Sequence, residues 1–142
     1  MRVKSNAFLA VACLILASLF GNASTHAQGV MRLANAGTIA LKSGESTEVG
    51  NLYFIADCRS ILKSPPEVEI LDGPPQVTAA IKEAKVLPRA QNCATPVAGG
   101  ILVLSAKEIE DPSFSRITIR LTYKTRDGDR KWSQVFNLQL LP

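Results

Sequence analysis

The strongest constraint on the fold is an alternation of apolar and polar residues near the end of the chain. Two such series flank the turn signal Asp127-Gly128. The first comprises Ile117, Ile119, Leu121 and Tyr123, and the second comprises Phe136, Leu138 and Leu140. An apolar residue at every second position is typical of a strand with one buried face, and Asp-Gly favours a tight hairpin. The sequence therefore predicts a β-hairpin here.

Shorter apolar runs predict further strands upstream. They are Ile39 with Leu41, Val49 to Ile55, Glu67 to Leu71, and Ile101 to Leu104. Prolines flank the Glu67 to Leu71 run, and since proline donates no ladder hydrogen bond, we expect a sheet edge there. Thr78 to Leu87 tolerates either a helix or a strand, and its flanks favour a strand.

The other segments predict loops and turns. Pro88 to Gly100 is expected to be a loop, and Lys107 to Phe114 is expected to include one helical turn capped by Ser105. About seven strands, with no helices to cover a parallel sheet, predict an all-β fold with a single β-sandwich.

The first 27 residues have the three parts of a secretory signal. Arg2 and Lys4 precede the apolar stretch 7–20, and small residues permit cleavage after Ala27 or, alternatively, after Ala23. This stretch is shorter than the roughly 20 residues that span a bilayer. Cys13 could instead carry a lipid anchor, but it lies inside the apolar run, which favours the plain signal.

Cleavage after Ala27 leaves one domain, residues 28–142, whose only cysteines are Cys58 and Cys93. Export places both thiols in an oxidising compartment, periplasmic or extracellular, where they are expected to form a disulfide. The 34 residues between them rule out a Cys-x-x-Cys redox motif.

Cleavage also removes His26, the only histidine of the chain. Catalytic Ser-His or Cys-His pairs and histidine-ligated zinc are therefore excluded, and we expect no metal and no cofactor. Without Arg2 and Lys4 the domain has 14 basic and 12 acidic residues. A net charge of +2 does not indicate nucleic acid as a partner, and no stable membrane insertion of the mature domain is expected.

Several short motifs together carry a resemblance to a known group of proteins. They are Gly44-Glu45-Ser46-Thr47, Asp57-Cys58-Arg59-Ser60, Pro66-Glu67-Val68, Asp72-Gly73-Pro74, Asn92-Cys93, Pro96-Val97-Ala98-Gly99 and Asp127-Gly128. In this order they resemble small secreted bacterial proteins with an immunoglobulin-like or cadherin-like β-sandwich domain. The resemblance covers most of the mature chain and implies an interaction or structural module of largely unassigned role.

Acidic pairs two residues apart are the only candidates for catalysis. They are Glu67 with Glu69, Glu108 with Glu110, and Asp127 with Asp129. On a strand such a pair shares one face at roughly 6.6 to 6.8 Å, a separation that suits glycoside hydrolysis only inside a walled cleft. We interpret these acids as solvated faces and turn caps, and predict that the protein is not an enzyme.

Basic residues around the predicted hairpin are the candidates for partner binding. With the tryptophan beside them and the arginine next to Cys58, the set is Arg59, Lys124, Arg126, Arg130, Lys131 and Trp132. A solvated hairpin tip is the simpler interpretation. Trp132 either fills the end of the sandwich, which we favour, or anchors a partner.

These features predict a non-enzymatic module of the cell envelope that binds a protein or glycan through its loops. The alternative is a secreted inhibitor that blocks a hydrolase with a protruding loop, for which Pro88 to Gly100 is the candidate.

Overall fold

The computed structural model describes residues 28–29, 32–33, 37–89 and 92–142. The predicted signal, Cys13 and both cleavage positions lie outside these residues. The described residues form eleven strands and no helix. The strands are β1 (Gln28–Gly29), β2 (Arg32–Leu33), β3 (Thr38–Lys42), β4 (Ser46–Leu52), β5 (Phe54–Ala56), β6 (Arg59–Ser60), β7 (Glu67–Asp72), β8 (Val77–Val86), β9 (Val97–Ala106), β10 (Ser113–Thr125) and β11 (Gly128–Leu141).

Two four-stranded sheets form the body of the protein. One has the order β3-β11-β10-β7 and the other β2-β4-β9-β8, while β1-β5-β6 form a small third sheet. Neighbouring strands are antiparallel except β3 and β11, which are parallel. Seven strands have five or more residues, so the predicted number of strands and the all-β class are confirmed.

The main hydrophobic core lies between the two large sheets, which makes the fold a sandwich. On β10 the predicted alternation holds, because Ile117, Ile119 and Leu121 are fully buried. They pack with apolar residues from the other sheet, including Leu102 and Leu104 of β9. Burying one such side chain stabilises the fold by about 1.5 to 3 kcal/mol.

A second, smaller core lies on the opposite face of the β9 sheet. Val97 and Ile101 belong to it, whereas Leu102 and Leu104 belong to the main core. Successive residues of a strand point to opposite faces, so the two cores lie on opposite sides of the same sheet. The buried members of the second core are Tyr53, Ile55, Val86, Cys93 and Val97.

The predicted disulfide between Cys58 and Cys93 is present, with the two Cα atoms 5.4 Å apart. Cys58 lies with Asp57 in the two-residue turn between β5 and β6, and both residues have positive φ, 50° and 58°. Two positive φ values are typical of the type I′ hairpin turn, whose twist matches that of the flanking strands. The disulfide thus anchors the tip of this turn to the segment between β8 and β9.

Most predicted strands are confirmed, including β8 in the ambiguous Thr78 to Leu87 segment and the edge position of β7. Two predictions are wrong. The loop expected to reach Gly100 ends at Pro96, because β9 begins at Val97 and pairs with β8. The helical turn capped by Ser105 is absent, since Ser105 lies within β9 and its hydroxyl bonds that of Ser46 at 2.7 Å.

The apolar run Val49 to Ile55 is interrupted at Tyr53, between β4 and β5. A search of the described residues for a helix long and apolar enough to cross a membrane found none.

Candidate binding site

Three segments meet at one end of the sandwich, which we call the loop end. They are residues 57–66, the described residues 87–89 and 92–96, and residues 125–131, which comprise the turn between β10 and β11 and the start of β11. The Cys58–Cys93 disulfide joins the first two. The first and third are joined by two backbone hydrogen bonds, from the amide of Lys63 to the carbonyl of Lys124 at 2.8 Å and from the amide of Arg126 to the carbonyl of Ile61 at 3.2 Å.

The 125–128 turn is fixed from inside by a buried hydroxyl. Thr125 is 1 % exposed, and its Oγ1 donates to the carbonyl of Gly128 at 2.6 Å and accepts from the amide of Asp127 at 3.3 Å. Gly128 has a φ of +111°, a conformation that side chains disfavour. The predicted Asp-Gly turn is therefore present, with its backbone held by a side chain that the sequence pattern did not indicate.

Arg59 and Arg126 both lie at the loop end. They belong to the two segments that are joined by the backbone hydrogen bonds just described. Both side chains are exposed. Arg130 and Lys131 are also exposed and lie on β11 as it leaves the turn, opposite Tyr123 and Thr122 of β10.

Lys124 differs from the other predicted basic residues because its ammonium is already paired. It donates a hydrogen bond to the Glu67 carboxylate, and that bond raises the pKa of Lys124 above its usual value. Glu69 lies beside Glu67 on β7 and pairs with Arg120 at 3.5 Å. The two glutamates therefore lie on an exposed strand with cationic partners, and they do not line the walled cleft that glycoside hydrolysis needs.

The other acidic pairs lie apart from each other. Glu108 and Glu110 line an open groove of about 580 Å³ at the opposite end of the sandwich, together with Asp111 and the exposed Phe114. The third pair, Asp127 and Asp129, belongs to the loop end. A search of the described part of the chain found no group of three or more histidine, cysteine or acidic residues able to hold a metal ion.

Trp132 is half exposed, at 50 % of its surface, so the favoured prediction of a buried ring is wrong. In register it lies opposite the buried Leu121, which places it among the inward-facing residues of β11. The neighbouring strand β3 pairs only with residues 137–141 of β11, so it does not extend as far as Trp132. Trp132 is therefore half exposed at a position of β11 that β3 does not reach.

The loop end also carries basic residues that the sequence analysis did not select, Lys63 and Arg89. The exposed basic side chains at this end are Arg59, Lys63, Arg89, Arg126, Arg130 and Lys131, and the exposed acidic ones are Asp57, Asp127 and Asp129. Within the described chain, none of these six basic side chains has a carboxylate within 4.0 Å. Lys63 could not be found from sequence, because only the fold places it beside the hairpin.

A small pocket of about 160 Å³ lies beside the loop end, between residues 62–65 and strands β8 and β9. Its walls include Lys63, Glu83 and Ala98. Ser64 also lines it, and the hydroxyl of this serine is buried with no hydrogen-bond partner in the described part of the protein.

The candidate inhibitory loop was Pro88 to Gly100, of which only the part before Val97 lies outside β9; together with Leu87 this part forms the segment between β8 and β9. Its described residues include two buried anchors, Pro88 and Cys93, and one exposed large apolar residue, Leu87 at its start. It contains no acidic residue.

No protein-family model matches this sequence, and no curated protein sequence matches it.

Proposed function

We propose that the mature chain is a non-enzymatic interaction module of the cell envelope that binds an acidic protein or glycan surface at its loop end. The observation that carries the proposal is the joining of three segments by one disulfide and two backbone hydrogen bonds, under basic side chains that have no carboxylate within 4.0 Å among the described residues. A surface held in its binding conformation loses little entropy on association, so few contacts suffice for binding.

An immunoglobulin-like fold is part of this proposal. The order β2-β4-β9-β8 corresponds to the A-B-E-D sheet of such domains, and β7-β10-β11 corresponds to C-F-G. In variable domains the loops that bind ligands cluster at one end of the sandwich, and binding residues commonly lie on loops held by a rigid scaffold. The disulfide here differs from the usual one, which links the two sheets, because it links two loops.

An export route is also proposed, because disulfides persist in oxidising compartments such as the periplasm or the extracellular space. The predicted signal in residues 1–27 supports the same location. The envelope offers acidic glycans and acidic protein surfaces as partners of the required charge.

The test examines whether binding depends on charge. Binding driven by exposed basic residues weakens with salt, because the screening length falls to about 8 Å at physiological ionic strength. The mature, oxidised domain is titrated onto immobilised polyglutamate and onto alginate, an acidic polysaccharide, at low and at moderate salt. We expect binding to at least one of them, and we expect it to weaken as salt is added.

Two double variants with the same change in net charge distinguish binding at the loop end from attraction by the overall charge of the domain. Arg126→Glu with Arg130→Glu reverses two charges at the loop end and should weaken binding at least tenfold. Lys107→Glu with Arg116→Glu makes the same change in net charge at the opposite end, where both side chains are exposed, and should leave binding within twofold. Equal weakening by both pairs, or no binding to either probe, would contradict the proposal.

A further inference from the structure

In the described part of the chain, strand β8 lies at the edge of its sheet, and its open edge has one backbone partner, the Pro74 carbonyl that bonds to the Val77 amide. It spans Val77–Val86 and pairs on one side only, with β9, in a ladder without a register shift. It contains no proline. The open edge of such a strand presents unpaired backbone N–H and C=O groups, which are a template for another extended chain.

The pocket described above opens beside this edge, because one of its walls is Glu83 of β8. Another wall is Ser64, whose Oγ is buried without a partner in the described part of the chain. A buried hydroxyl that lacks a partner is unfavourable in the free protein, and a ligand group in the pocket removes that penalty once the Ser64 side chain turns its Oγ toward it.

The pocket lining selects a group that both donates and accepts hydrogen bonds. The Glu83 carboxylate accepts, the Lys63 ammonium donates, and the Ser64 hydroxyl does either. A carboxamide offers an oxygen acceptor and an NH₂ donor on one small planar group. A volume of about 160 Å³ accommodates a single side chain of this kind.

Lysines outnumber carboxylates along the edge, where Glu83 is the acidic residue of β8, and this excess of positive charge favours an acidic chain on either side of that amide. Lys82 and Lys85 project from β8, and Lys63 stands at the pocket. Lys82 lies 3.5 Å from Glu48, but Lys85 and Lys63 have no carboxylate within 4.0 Å in the described part of the chain. Opposite charges directly across neighbouring strands stabilise their pairing.

We infer that an extended, acidic segment of a partner protein adds to the open edge of β8 as a further strand and inserts an asparagine or glutamine side chain into the pocket between Ser64 and Glu83. In this mode main-chain hydrogen bonds supply affinity and the pocket supplies specificity. The inference rests on the proposed function and specifies its partner as an extended acidic polypeptide.

The probe is a capped heptapeptide in which threonine alternates with glutamate around one central glutamine. Its binding is measured by amide hydrogen exchange and by fluorescence anisotropy. We expect added protection of alternate β8 amides, those that face the open edge, and no comparable change in β10. A peptide with lysine in place of glutamate should bind at least tenfold more weakly.

Two variants test the pocket itself. Ser64→Leu fills it and Lys63→Ala removes a donor and a positive charge from an exposed position, so each should weaken peptide binding at least tenfold. Ser133→Leu, a change at an exposed serine on β11, is the matched control and should leave the affinity within twofold.

Three results would overturn the inference: binding without protection of β8, equal affinity of the pocket variants and the control, or no binding of the peptide. Binding of an N-acetylglucosamine oligomer in the pocket without β8 protection would assign the pocket to a glycan instead. If polyglutamate or alginate still binds the loop end while the heptapeptide fails, the inference fails and the proposed function stands.

Discussion

The amide of Lys63 donates a hydrogen bond of 2.8 Å to the carbonyl of Lys124, although the two residues lie on separate segments. This bond places the 57–66 segment against the end of the β10–β11 hairpin. Since Cys58 of the same segment is bonded to Cys93, the three parts of the loop end hold one another in place.

Removing the disulfide should lower stability and loosen the loop end. Cys93→Ser is expected to reduce the free energy of unfolding by about 3 kcal/mol, because the bond closes a long loop in the unfolded chain. Urea denaturation of the oxidised domain and of the variant gives the difference. Cys58→Ser and the double variant should show the same reduction in the free energy of unfolding as Cys93→Ser, since each removes the same disulfide. Clearly additive losses would mean that the two side chains act separately.

Gly99 should tolerate no side chain. A Cβ at this position would lie 2.3 Å from the carbonyl oxygen of Leu52, and a backbone atom cannot move aside as a flexible side chain can. Gly99→Ala is therefore expected to destabilise the domain by about 3 kcal/mol or to prevent folding.

Gly44→Ala is the control for that change. No atom lies within 4 Å of the position that the added methyl group would take, but φ is +79°, so only backbone strain of about 1 kcal/mol is expected. Thermal or urea unfolding compares the two variants. A loss for Gly99→Ala no larger than that for Gly44→Ala would show that the Leu52 contact relaxes freely.

Tyr123 should make the domain less stable in alkali. Burial, with a smaller contribution from Tyr53, raises the pKa of the Tyr123 hydroxyl above its usual value near 10. Below pH 10 the hydroxyl is protonated in both states and its contribution to stability is complete. Above pH 10 the unfolded chain releases the proton while the folded protein keeps it, so stability falls by up to about 1.4 kcal/mol per pH unit.

Tyr123→Phe should therefore reduce the slope of stability against pH between pH 10 and 11.5 by about 1 kcal/mol per unit. Lys124 contributes in the same direction, since Glu67 raises its pKa, and this contribution remains in the variant. Urea unfolding at a series of pH values measures the slope. An unchanged slope would show that Tyr123 ionises in the folded protein as it does in the unfolded chain.

Tyr53 should be replaceable by phenylalanine with a gain in stability. Its ring is 2 % exposed, and its hydroxyl has no hydrogen-bond partner within the described chain. Tyr53→Phe keeps the packing of the second core and removes the unpaired hydroxyl, so we expect a gain of about 1 kcal/mol. Urea unfolding at pH 7 tests it, and a loss of stability would mean that the hydroxyl has a partner in solution.

Trp132 should matter more for binding than for folding. Half of its surface is exposed, so Trp132→Ala is expected to lower stability by no more than about 2 kcal/mol, less than for a fully buried aromatic residue. The variant should bind polyglutamate or alginate, whichever of the two the wild-type domain binds, about tenfold more weakly, because exposed tryptophans are frequent anchors at interfaces. Far-ultraviolet circular dichroism confirms folding, and unaltered binding would place the site away from this ring.

The sequence by itself determined the strands whose buried face is read from period-two alternation, above all β10 and β11. It also determined the disulfide, since only two cysteines follow the predicted signal. The local sequence pattern gave a wrong prediction where contacts between strands, and not neighbouring residues along the chain, determine the structure. Pro96 and the Gly99-Gly100 pair suggest a loop, yet both glycines lie in β9, at positions where the neighbouring Leu52 carbonyl and Ile81 side chain leave no room for a Cβ.

Only the tertiary structure decided how the candidate residues are grouped. It joined the segment that carries Arg59 to the hairpin, paired Lys124 with Glu67, left Trp132 half exposed, and formed the pocket from residues that include Ser64 and Glu83. The physical reason is that alternation is a property of neighbouring residues along one strand. Contacts between loops depend instead on how two sheets pack, and residues far apart in the chain fix that packing together.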